Sequence, residues 1–264
     1  MNMSGGNTHA LVIIDPQNDF CARQGSLYLQ GAEDDMIRLA GYIGKASLSV
    51  SQIFVSMDSH DRLAAFHPLF WVNEAGERPA PFTQITHDDF SSAKWKVASD
   101  ANQPYVKKTF GALKTHGIES LMVWPEHCVV STWGHQISAP LQKALFAWQD
   151  TSNTAARYVF KGENPYTDQF SIFEGVDNTY PETAFNERLF AQLTKFDRIT
   201  FAGEALTHCV KESILSYTRR LGNSKQELRL LADCTSPVGG FDASAALDSL
   251  RGAGVTPITS TDPV

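Results

Sequence analysis

A chain of 264 residues, 42% of them hydrophobic, can bury a full core, and one domain spanning residues 1–264 with a sizeable insertion is the expected organisation. The 29 acidic and 22 basic side chains leave a net charge of −7, and no Lys/Arg cluster stands out to neutralise phosphates, which argues against a nucleic-acid partner and for small-molecule chemistry. Cys21, Cys128, Cys209 and Cys234 are far apart and form no C-x-x-C pair, as expected of reduced thiols in a cytoplasmic protein. Residues 1–8 lack the layout of a signal peptide, and no apolar run approaches bilayer length, so no membrane association is expected.

Short apolar runs alternate with helical patterns along the chain. A strand is predicted at 10–14, a helix over 34–45 and a second strand at 52–57. Residues 68–123 then break the rhythm with Pro, polar and aromatic residues, and only 110–116 looks helical. A stretch of that size is expected to be an insertion folding over the mouth of a site. Beyond it come a strand at 157–160, a helix over 185–196, a strand at 198–202 and a helix that begins around Cys209. Val210, Ile214, Tyr217 and Leu221 mark its apolar face, and Arg219, Arg220 and Gly222 mark its end. A strand at 227–231, a helix over 244–252 and a strand at 255–258 complete the pattern. Continuous apolar strands separated by helices predict a doubly wound α/β fold, three-layered αβα, around a six-stranded, mostly parallel sheet.

In such sheets reactive groups collect beyond the carboxyl ends of the strands. Asp15 follows the first strand, Lys161 the strand at 157–160, and Cys209 the short Gly-led turn after the strand at 198–202. Taken singly, these read as a turn aspartate, a solvated lysine and a small buried thiol. Together they deliver an acid, a base and a nucleophile whose thiolate a helix start would favour. Asp58 and His60 are two apart, so on an extended strand end they point to one side, as ligands of one ion must. His67 and His127 could join them or be loop histidines, and His9, His87, His116 and His135 are expected in loops. A carboxylate with up to three imidazoles suits Zn, Fe or Mn.

Five fragments occur together and in order: Asp15-x-Gln-x-Asp-Phe20, Asp58-x-His60, Trp124-Pro-x-His-Cys128, Lys161-Gly with Phe170-Ser171-x-Phe173 behind it, and Gly203-x-Ala205-x-x-x-Cys209. In this the chain resembles the nicotinamidases of the isochorismatase-like cysteine hydrolase superfamily. The resemblance implies a triad of Asp15, Lys161 and Cys209, in which the Cys209 thiolate attacks an amide carbonyl, ammonia leaves and water hydrolyses the thioester. It implies a cis peptide entering Ala205, with the N–H groups of Ala205 and Cys209 facing the developing oxyanion. It further implies one divalent transition metal ion on Asp58, His60, His67 and His127, and a ring pocket lined by Phe20, Trp124, Phe170 and His208. For Phe173, core packing is the better reading.

Two positions depart from the family pattern: Glu204 stands where an apolar residue is usual, and Phe170 where a tyrosine is common. They bear on the substrate more than on the chemistry, so a cysteine hydrolase acting on another small amide or carbamoyl compound is the alternative expectation. A catalytically silent ligand-binding member is a more distant one, against which the retained triad and ligand set argue. Self-association is in keeping with an α/β enzyme of this size, although no residue proves it.

Overall fold

The computed structural model describes residues 8–263; of residues 1–8, only Thr8 falls within it. Six strands, β1 (His9–Ile14), β2 (Gln52–Asp58), β3 (Arg157–Lys161), β4 (Arg198–Gly203), β5 (Glu227–Leu231) and β6 (Thr256–Ile258), form one sheet in the order β6-β5-β4-β1-β2-β3. Every pairing in it is parallel. The longer helices are α1 (Ala32–Ala46), α2 (Gln103–Thr115), α3 (Ala139–Ser152), α4 (Glu187–Leu193), α5 (Lys211–Leu221) and α6 (Ala243–Gly252).

Side chains alternate across a strand, and here both faces are apolar. Leu11 and Ile13 of β1 point into one core with Met36, Leu39 and Ile43 of α1 and Leu141, Leu145 and Trp148 of α3. Ala10, Val12 and Ile14 point into the opposite core with Leu189 and Leu193 of α4, Ile214 and Tyr217 of α5, and Leu250 of α6. Phe173 is fully buried in that second core, as expected. Each large side chain taken out of water contributes about 1.5–3 kcal/mol, so the two cores fix the sheet between two helical layers. The chain runs outward from β1 in both directions, which makes the β1/β4 boundary the switch point where a doubly wound sheet opens a crevice.

Residues 68–123 hold more structure than their sequence pattern predicts. Two-stranded antiparallel pairings join Trp71–Val72 to Lys96–Val97 and Gln84–Thr86 to Ser120–Met122, and α2 starts at Gln103 rather than near Phe110. Pro104 near the helix start is compatible with that position because the first N–H groups have no helical partner. Val106, Phe110 and Leu113 of α2 pack with Phe70, Trp71, Ile85 and Val97 into a third core. The insertion meets the pocket wall through Phe82, whose ring lies 6.0 Å from that of Trp124. His116 and Ile118 border an outer groove together with Phe170 and His208.

Candidate active site

Three strand ends bring Asp15, Lys161 and Cys209 together. Asp15 leaves β1 in the left-handed region, at φ +42°, which Asp tolerates better than most residues. Its Oδ1 accepts a 2.6 Å hydrogen bond from Ser56 Oγ on β2. Its Oδ2 faces the Lys161 ammonium at 2.9 Å but accepts no well-directed hydrogen bond among the described residues. Lys161, at the end of β3, is fully buried. Its Nζ also lies 2.9 Å from Asp58 Oδ1, 3.0 Å from the Gln169 carbonyl oxygen and 3.6 Å from Cys209 Sγ. The ligand atoms of Asp15, Asp58 and Cys209 fall within 4.8 Å of one another, and the ammonium supplies the positive charge that such a cluster needs.

Burial alone would strip Lys161 of its proton, but Asp15, Asp58 and Cys209 raise its pKa well above the ordinary range. Burial also raises the Asp15 carboxyl, against the pull of Lys161. The Cys209 thiol is pushed well above its usual value by burial, with Lys161 opposing and Asp15 adding to the shift. The resting sulfur is therefore a thiol, whereas placement at a helix start predicts a resting thiolate. Cys209 lies in a wide turn of π-helix, Leu206–Val210, that precedes α5, rather than in the first turn of an α-helix. The desolvation of a fully enclosed sulfur outweighs what the helix end offers.

Gly203 ends β4 at φ +104°, and a Cβ there would run into the backbone of Ile14. Glycine thus lets the turn before Cys209 close onto the residue preceding Asp15. The Glu204–Ala205 peptide is cis, as the family resemblance implies. In this turn Leu206 N–H donates to the Ser236 carbonyl, and His208 and Val210 N–H groups donate to that of Ala205. The Ala205 N–H has no acceptor among the described residues.

Asp58 ends β2 directly beside Lys161, and it has two faces. Oδ1 meets the ammonium, while Oδ2 lies 3.0 Å from His60 Nε2 and 3.8 Å from His127 Nε2. A parallel bridge between His60 and Val129 brings His127 alongside His60. Ligand atoms of Asp58, His60 and His127 lie within 4.8 Å of one another, and the His67 ring centre is 5.6 Å from that of His60 and 5.3 Å from that of His127. Each imidazole has its Nδ1 on a backbone carbonyl: His60 on Gly162 at 3.0 Å, His67 on Arg62 at 3.3 Å and His127 on Pro125 at 2.8 Å. Such contacts fix the tautomer and turn Nε2 to the common centre. His67 Nε2 is buried with no hydrogen-bond partner among the described residues, and burial lowers its pKa to about 3, so it stays neutral. A carboxylate and three neutral or shared imidazoles with one orphaned nitrogen fit a divalent transition metal ion.

Phe20, Trp124, Phe170, Ala205, His208 and Cys209 all line one cleft, which Asp58, His60 and His127 also border. The Trp124 ring stands edge-on to His208 at 5.4 Å, and Phe170 lies 5.5 Å from His208. Burial and Lys211 lower His208 to about 4, so this wall is uncharged. No family model matches the chain. Curated relatives include the nicotinamidase of Saccharomyces cerevisiae, 25% identical over 86% of this chain and 88% of the relative. The nicotinamidase/pyrazinamidase of Mycobacterium tuberculosis is 25% identical over 96% of this chain and 99% of its own. Among solved structures, the yeast nicotinamidase superposes with a TM-score of 0.68 at 20% identity, covering 95% of this chain and 99% of that one. A Pyrococcus horikoshii pyrazinamidase in complex with zinc gives 0.57 at 18% identity, over 95% and 98%.

The chain is similar in sequence to these nicotinamidases and shares their fold.

Within this site, sequence reasoning missed several contributors. Gln17 clamps the strand end through 2.7 Å hydrogen bonds to the backbone N–H and carbonyl of Asp58. Leu27, Leu29 and Val238 supply apolar lining, and Asp168 and Gln169 supply polar lining. Burial pushes the Asp168 carboxyl up to about 7, with His60 and Lys161 opposing and Asp58 adding. Only Gln17 lay inside a recognised motif; the others come from loops whose path no local pattern fixes. Of the histidines expected in loops, His9 is instead buried in β1, with Nε2 2.8 Å from Thr200 Oγ1. A strand position next to an apolar run could have signalled this. His135 lies 2.9 Å from Ser59 Oγ.

Proposed function

We propose that the chain is a nicotinamidase, hydrolysing nicotinamide to nicotinic acid and ammonia through a thioester on Cys209. The observation that carries this reading is the buried ammonium of Lys161, in reach of Asp15, Asp58 and Cys209 at the edge of a ring-lined cleft. An aromatic carboxamide suits stacking between such walls, with its amide carbon presented to the sulfur.

Asp15 Oδ2, the oxygen with no hydrogen bond of its own, takes the Cys209 proton as sulfur attacks the carboxamide carbon. Because burial raises both the carboxyl and the thiol, proton transfer and attack occur together, and Lys161 offsets the charge growing on sulfur. The carbonyl oxygen, now anionic, is met by the N–H groups of Ala205 and Cys209. Asp15 then returns its proton to the departing NH₂ group, the C–N bond breaks and ammonia leaves. Water gives a proton to Asp15 and adds to the thioester, the C–S bond breaks, and the thiol and the free acid are restored. Asp58, His60, His67 and His127 would hold the metal ion, which when bound supplies a Lewis acid beside the ring pocket.

The test is ammonia release from nicotinamide set against a panel of other small amides. Nicotinamide is expected to give the highest kcat/KM. A metal-loaded, folded protein that turns over another amide and not nicotinamide contradicts the assignment, and Phe170 is the cleft-lining position that would then account for the different substrate.

A further inference from the structure

Glu204, the residue before Ala205, is fully buried yet does not line the cleft. Its carboxyl group meets a second one. Ser236 donates its N–H to Glu204 Oε2 at 2.9 Å and its hydroxyl to Asp35 Oδ2, so one serine joins two enclosed carboxyl groups. The same serine accepts the Leu206 N–H at 2.9 Å through its carbonyl and is thereby fastened to the turn leading to Cys209. Gly31, the residue capping α1, lies close enough that a Cβ would come within 2.9 Å of Ser236 Oγ, so glycine lets the helix end seat against the serine.

The two carboxyl groups are not equivalent. Asp35 sits in the first turn of α1, where the helix end favours negative charge, and Arg38 pairs with its Oδ1. Glu204 forms no salt bridge among the described residues, and its Oε1 is buried with no hydrogen-bond partner. A second buried carboxylate against Asp35 would leave an uncompensated charge and an empty acceptor. A proton on Glu204 removes the charge and provides a donor.

We propose that Glu204 is a positioning residue, a neutral carboxylic acid that, through the Ser236 it shares with Asp35, ties the turn carrying Ala205 and Cys209 to the start of α1. The importance of that turn for catalysis rests on the function proposed above; the carboxyl pair itself does not. Burial, with Asp35 adding, raises the Glu204 carboxyl well above the ordinary range, against the Ser236 N–H and the weaker pull of Arg38. The other titratable groups around the pair are Cys21, Cys234 and Asp233. Burial holds both thiols protonated, so they bring no compensating positive charge.

The folded protein keeps a proton that the unfolded chain releases above a glutamate's ordinary value of about 4.3. The wild type therefore loses stability as pH rises from there toward the folded-state pKa. Glu204→Gln keeps a donor but cannot titrate. Its Tm is expected to gain steadily on that of the wild type between pH 6 and pH 9, with kcat/KM at pH 6 within about threefold of the wild type. Glu204→Ala, which leaves the Ser236 N–H unsatisfied, is expected to lose about tenfold. Infrared difference spectra at pH 7 should contain a protonated-carboxyl C=O band that Glu204→Gln lacks. Asp35→Asn removes the neighbouring charge, so the band is expected to disappear at a lower pH than in the wild type. Absence of the band in the wild type, parallel Tm curves for wild type and Glu204→Gln, or a band that Asp35→Asn leaves unmoved would overturn the proposal. A protein that shows the band but does not turn over nicotinamide refutes the functional reading alone.

Discussion

At the scale of single residues, the site is organised by Lys161. Two carboxylates and a thiol converge on its ammonium inside a fully enclosed space, where removing one partner of a buried ion pair leaves charge without compensation. Lys161→Met is therefore expected to abolish turnover and to lower stability by about 3–5 kcal/mol in chemical denaturation. Activity within a few-fold of the wild type would show that the lysine acts only as packing. Asp58 extends the argument, because one oxygen serves the lysine and the other faces His60 and His127. The proposed nucleophile and the candidate metal ligands thus share Asp58. Asp15, Asp58, Lys161 and Cys209 stood out in the sequence because each follows a strand. That Asp58 would serve both halves did not, since it depends on the parallel register that sets Asp58 beside Lys161.

At the scale of elements, the turn after β3 controls how closely the two halves approach. Gly162 has φ +75°, and a Cβ there would fall 2.5 Å from His60 Cε1 and 2.7 Å from Asp58 Oδ1. These neighbours are packed side chains of the ligand group, and a left-handed backbone adds its own penalty for alanine. Gly162→Ala is expected to lower bound metal per chain, read by elemental analysis, with a fall in Tm; unchanged metal content and Tm would contradict this account of the turn. Element legibility was uneven for a related reason. The six sheet strands show as apolar runs, whereas α3 was not foreseen although Leu141, Leu145 and Trp148 recur at i, i+4 and i+7 behind Pro140. The insertion's strands are two or three residues long, too short for a period to register. Their stability comes from the third core, a tertiary property that local sequence does not carry.

At the scale of the whole molecule, one parallel sheet with a core on each face delivers three strand ends to a single crevice. Among the described residues no helix is long and apolar enough to cross a membrane. Residues 68–123 lie beside that crevice, placing Phe82 against Trp124 and His116 and Ile118 along the outer groove. The proposed mechanism turns on one sulfur, which rests as a thiol and would become a nucleophile as it passes its proton to Asp15. The most direct measurement is acid quenching during nicotinamide turnover followed by mass spectrometry of the peptide containing Cys209. The account predicts a nicotinoyl adduct on Cys209 that builds up and decays with ammonia release, and no adduct and no ammonia from a folded Cys209→Ala protein. Steady ammonia release with Cys209 unmodified, or retained by Cys209→Ala, would contradict it.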